Sequence, residues 1–130
     1  MAVGDVYTTL GENATIDLLD TWFSTTWAFH TGIGTTTPAK GDSGIETSTD
    51  LPAKATPASP AKTQPTADKL QFVGTVAYAY SGGWSTGTKA ITELGLFGPS
   101  ATPMFQHHVF AAINVANGDS IEFTVVHEQA

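Results

Sequence analysis

The chain has 130 residues, no cysteine, 13% charged and 41% hydrophobic side chains, which suits one domain with a modest core and excludes a disulfide framework or a thiolate metal site. Five basic residues, all lysine, stand against twelve acidic ones for a net charge of −7; with no arginine to read phosphate or guanine bidentately, nucleic acid is not expected as a partner. No apolar run reaches 18 residues and the first five residues lack the cationic and apolar stretches of a signal peptide, so the expectation is a soluble chain made in the cytoplasm, with no membrane partner.

Between Gly11 and Phe23 the residues Ile16, Leu19 and Phe23 recur at helical spacing, with Leu18 and Trp22 widening the stripe and Asp17 and Asp20 opposite, which predicts a short amphipathic helix with Asn13 as its N-cap. The β-branched Thr21, Thr25 and Thr26 then weaken helix propensity. From Trp27 to Ile33 the residues Trp27, Phe29, Thr31 and Ile33 alternate with Ala28, His30 and Gly32, the period of a strand.

Residues 35–69 change character, with Pro38, Pro52, Pro57, Pro60 and Pro65 scattered among Thr, Ala, Ser and Lys, and only Ile45 and Leu51 as sizeable apolar groups. Ordering roughly 35 residues costs at least about 1 kcal/mol each in backbone entropy, and two apolar side chains at about 1.5–3 kcal/mol each do not offset that. Another surface must therefore hold this segment, either the body of the domain or a neighbouring chain. Its extended reach, on the order of 100 Å at about 3.3 Å per residue, favours the neighbouring chain. Thr35, Pro38, Ile45, Leu51, Pro52, Pro57, Pro60 and Pro65 are accordingly the expected partner-binding residues.

Beyond this arm the pattern is β. Leu70, Phe72, Val76, Tyr78 and Tyr80 share one parity of a long strand, with Gly74 as a bulge or close approach, and Ser81-Gly82-Gly83 turns it. A shorter strand over residues 91–97 is expected to break at Gly95 and to end at Gly98-Pro99-Ser100. Residues 107–115 and 121–127 read as a hairpin around Asn117-Gly118, in which a three-residue loop sets Ile113 opposite Ile121, Ala111 opposite Phe123 and Val109 opposite Val125. The expected fold is mainly β: residues 1–130 form one β-sandwich or jelly-roll-like domain with one short N-terminal helix and a long Pro/Thr/Ala-rich extended arm at 35–69.

No residue pattern specifies catalysis. Gly41-Asp42-Ser43-Gly44 copies the tetrapeptide around the trypsin-like nucleophile, but Ile45 replaces the next glycine and no Ala-Ala-His supplies a base, so it reads as a turn. Residues 82–89 mimic a phosphate-binding loop with Thr88 misplaced before Lys89. His107 and His127, set on facing strands by that hairpin register, are the weak metal candidates, with His30, Glu128 or a symmetry mate as a third ligand; two ligands make no site, and neither metal nor cofactor is expected. Asp17, Asp20, Asp42, Glu46, Glu93 and Glu122 read as solvated surface charge, and Trp84, in its Gly/Ser turn, as the one tryptophan placed for exposure.

The stretches Ala90-Ile-Thr-Glu-Leu-Gly-Leu-Phe97, His108-Val-Phe-Ala-Ala-Ile-Asn-Val115 and Asn117-Gly-Asp-Ser-Ile-Glu-Phe-Thr124 resemble the C-terminal half of a family of small tailed-phage structural proteins. The N-terminal half is similar too, with a short helix, a Trp-led strand ending Gly-x-Gly at Gly34, and a Pro/Lys/Gly/Asp segment from Pro38 to Thr47; residues 50–62 depart from it as an insertion. The resemblance is to capsid decoration or cement proteins, jelly-roll or β-sandwich trimers that sit on phage heads. It implies a non-enzymatic virion protein, made in the host cytoplasm and carried on the outer capsid surface, with the major capsid protein and its own copies as partners. The arm, or the N-terminal segment 1–10, would then add to the edge of a neighbour. The alternatives are a tail, baseplate or fibre-base component, and a carbohydrate-binding module acting through Trp84.

Overall fold

The computed structural model describes residues 8–23, 26–101 and 103–129, so residues 1–7 of the segment considered for edge addition, and Thr25, lie outside the described residues. Helix α1 runs Thr9–Phe23. Its cap is Thr8, whose Oγ1 accepts the Gly11 N–H at 3.1 Å, rather than Asn13, which sits inside the helix. Ile16 and Phe23 face the core with Leu19 beside them, while Leu18 is exposed and Trp22 lies partly over Phe105 and Gly98.

Six strands follow among the described residues: β1 Ala28–Gly32, β2 Ala58–Thr63, β3 Lys69–Ala77, β4 Lys89–Phe97, β5 Met104–Val115 and β6 Ser120–Glu128, with a 3₁₀ turn at Pro99–Ala101. They form two antiparallel three-stranded sheets, β1-β4-β5 and β2-β3-β6. One aromatic core serves both. Phe29 of β1 meets Phe123 of β6 at 6.1 Å between ring centroids, Trp27 meets Phe72 of β3 at 5.2 Å, and Phe23 of α1 meets Phe72 at 4.7 Å. The Tyr78 hydroxyl donates to Thr31 Oγ1 at 3.0 Å, and burial pushes that hydroxyl up to about 12, partly offset by the bond.

Three expectations are corrected. The strand through Gly95 does not break: β4 is continuous and central, with Gly95 paired to both His30 and His107. Gly95 is small because the Phe97 ring and Met104 occupy the space a side chain would take.

Secondly, β5 and β6 are not a hairpin. The loop between them is as expected, with Gly118 at φ +93° and the Asp119 N–H bonded to Ala116 O, but β5 pairs with β4 (Ile113 with Ile91) and β6 with β3 (Ile121 with Val76, Phe123 with Gly74). The apolar alternation reported a shared core, which two strands in opposite sheets satisfy as well as two in one ladder.

Thirdly, residues 35–69 are not one extended arm clear of the domain body, which already holds part of them. Residues 58–63 are strand β2 and Lys69 opens β3. Ala55 exchanges backbone hydrogen bonds with Phe29 at 3.0 and 3.2 Å, and Thr56 Oγ1 donates to Trp27 O. Lys62 ties β2 to the helix through the Asp20 carboxylate at 2.8 Å, and Gln64 reaches Asp17 at 3.0 Å.

Gly74 is the close approach the sequence suggested, because a Cβ there would overlap buried Pro57. Gly74→Val is expected to cost about 1–3 kcal/mol through overpacking. Thermal unfolding checks this, with Gly41→Ala as a control at a position where a Cβ meets nothing within 4 Å.

Candidate functional site

Glu93 is the only charged residue of β4 beyond Lys89, and its carboxylate is 1% exposed. Burial of an unpaired carboxylate is costly, so its partners explain the local fold. Oε1 accepts the N–H groups of Gly34 and Thr47, each at 3.0 Å, and Oε2 accepts the Glu46 N–H at 3.3 Å and faces His107 Nε2 at 3.0 Å. On its far side His107 Nδ1 meets Asp42 Oδ2 at 2.7 Å. The Gly-x-Gly ending of β1 has its reason here: side chains at Gly32 or Gly34 would fill the space that the Glu93 carboxylate occupies.

Burial pushes the Glu93 carboxyl up, but the bonds from Thr47, His107, Glu46 and Gly34 outweigh it and hold it below its ordinary value. Burial lowers His107, and its bonds to Asp42 and Glu93 outweigh that and raise it. The Ala39 N–H, then His107, hold Asp42 low. The two carboxylates thus favour the protonated imidazole between them, and the cluster fastens the 34–47 loop to the sheet.

This clamp overturns the reading of Asp42 and Glu93 as solvated charge. It also decides what His107 does chemically. The ring nitrogen that would have to take a serine proton or bind a metal is engaged by Glu93, and the other by Asp42. His127 has other partners, its Nδ1 at 3.2 Å from Gln106 Nε2 and its ring 5.1 Å from Phe105, and among the described residues no group of three His, Asp or Glu side chains is arranged to hold a metal ion.

Of the expected partner-binding residues, Pro57 is buried, while Ile45, Leu51 and Pro52 are half-buried, Ile45 close to Gly32 and Leu51 against the core. Thr35, Pro38, Pro60 and Pro65 are exposed. Trp84 is 4% exposed and stacks edge-on with Tyr80, which removes it as a sugar platform. The tight turn that reciprocally bonds Ser81 and Trp84 folds the indole inward.

The second feature is a groove of about 520 Å³ lined by Leu94, residues 108–111 and 113, and residues 123–126. Consecutive residues of a strand point to opposite faces, so a groove touching four in a row on each strand runs along backbone edges. It is the seam between β5 and β6, each of which pairs on one side only among the described residues. Side chains bridge the seam, Gln106 to His127 and Phe110 to Phe123 at 6.1 Å, without a backbone ladder. The groove lining carries no lysine, aspartate or glutamate.

Comparison of the chain with protein families, with curated proteins and with solved structures finds no match.

Proposed function

We propose that the chain is a non-enzymatic virion structural protein, a capsid decoration or cement protein that binds the exterior of a phage head and clamps neighbouring coat subunits. Its two sheets act as a jelly-roll-like sandwich. The major capsid protein and further copies of the chain are its partners, and a trimer is what the sequence resemblance implies. The observation that carries the reading is the seam: two strand edges with unspent backbone donors and acceptors beside an apolar groove are an association surface, and edge pairing needs no chemistry beyond shape and hydrogen bonding. The Glu93–His107–Asp42 clamp supports it, since it engages the one histidine with two carboxylate neighbours in holding a loop. Of the expected partner-binding residues, the exposed Thr35, Pro38, Pro60 and Pro65 are those left to meet coat protein.

The test is the copy number of this protein relative to major coat protein in purified particles after a high-salt wash, by quantitative mass spectrometry. A ratio near one is expected. A handful of copies per particle assigns it to the tail instead, and absence from particles overturns a virion role.

A further inference from the structure

We propose that the seam joins two copies of this chain, with β5 of each copy pairing antiparallel to β6 of the other around a twofold axis parallel to the strands. This departs from the trimer that the resemblance implies and rests on the preceding reading only in taking the chain to work as an assembly.

The strand edges differ in how they are protected. The free edge of β1 is covered by Ala55. The free edge of β2 carries Pro60 and Lys62, has Ser59 at φ +48°, and shifts register between Ala58 and Ala61, all devices that discourage further pairing. β5 has no positive-φ residue, although its pairing with β4 shifts register between Val109 and Ile113 and between Met104 and Gln106. Its twelve residues, Met-Phe-Gln-His-His-Val-Phe-Ala-Ala-Ile-Asn-Val, include no proline and no lysine, arginine, aspartate or glutamate. A long, uncharged edge of this kind invites pairing, and a stable protein keeps one only where something covers it.

The chain supplies the complement itself, because β6 is a second strand left without a ladder on the same side of the molecule. The two strands lie level with one another, since Gln106 meets His127 and Phe110 meets Phe123. These pairs set the register, one residue away from the Ile113–Ile121 match of a simple hairpin.

Rotation about an axis parallel to the strands preserves these heights and strand directions. It places the β1-β4-β5 sheet of one copy in line with the β6-β3-β2 sheet of the other, so two ladders form and all four free seam edges are used. Half-exposed Ile113 (41%) and Val126 (45%) are then covered. Charge favours the same contact, because copies of net charge −7 repel over most of their surface and the uncharged β5 edge is where they approach at least cost.

One step on from the level Phe110 and Phe123, the pairing sets Ala111 opposite Glu122 of the second copy, and both are exposed within one molecule. In light scattering and sedimentation the purified chain is expected to be a dimer. Ala111→Glu, which sets like charges together twice per dimer, is expected to weaken it about tenfold. Ala111→Lys is expected to tighten it, and adding Glu122→Lys to Ala111→Glu to restore it, all with unchanged far-ultraviolet circular dichroism. A monomer or a trimer, or a dimer indifferent to these charges, overturns the seam pairing. A dimer that obeys them but is absent from particles leaves the pairing intact and overturns the virion role instead.

Discussion

Replacing Glu93 by alanine is expected to cost about 3–5 kcal/mol of stability, the largest effect of any single polar substitution in this domain. The carboxylate is the sole described acceptor for the Gly34, Glu46 and Thr47 N–H groups and one of two carboxylates holding His107. Removing it strands three backbone donors, each costing about 1–3 kcal/mol where water does not reach, together with a cationic ring. A domain of this size should lose about 10 °C or more in melting temperature. Glu93→Gln keeps the volume but turns an amide N–H₂ toward donors, so it is expected to recover only part of the loss. Equal stability of wild type and Glu93→Ala in thermal or denaturant unfolding would falsify the clamp.

The second large effect is in pH. His107 is raised above its ordinary 6.5, so its contribution is complete below 6.5 and fades as pH climbs through the folded-state value. Glu93 and Asp42 are lowered from 4.5 and 3.8, so theirs is complete above those values and fades as pH falls through the folded-state ones. The clamp is therefore strongest between about 4.5 and 6.5.

Two other histidines oppose it at the acid end. His30, lowered by burial and then by Lys54 against the pull of Glu93, and His108, lowered by burial and then by His107, both favour unfolding as pH drops below 6.5. The measurement that separates them is the stability of wild type minus that of His107→Gln across pH. That difference should peak in the 4.5–6.5 window and shrink on both sides; a difference that is flat with pH removes the ion cluster from the account.

What the sequence disclosed depended on how local the determinant was. The helix, the strand after Trp27, the Ser81 and Asn117-Gly118 turns and the Gly74 approach all rest on neighbours a few residues apart, and each was legible. Strand partnership was not, because apolar alternation in residues 107–127 marks which side faces the core and is silent on which strand supplies the hydrogen bonds. The placing of residues 35–69 is not legible from apolar burial, because hydrogen bonds to Glu93, Phe29 and Trp27 hold the segment. A signal for the clamp did exist: a glutamate inside the run Ile91 to Phe97 is a charge on a strand whose neighbours are all core residues, and such a charge requires a partner. The direct bond from Asp42 to His107 spans 65 positions and has no local signature.

Because Gly34 and Thr47 bond to the same oxygen of Glu93, the 34–47 loop begins and ends at one point. A loop pinned so closely at its root is nearly indifferent to its own length, since doubling a flexible loop adds only about 0.6 kcal/mol of closure entropy. Foreign peptide spliced between Ser43 and Gly44, where a glycine Cβ would meet nothing within 4 Å, leaves the root and Asp42 in place. The domain thereby carries a ready site for displaying inserted sequence.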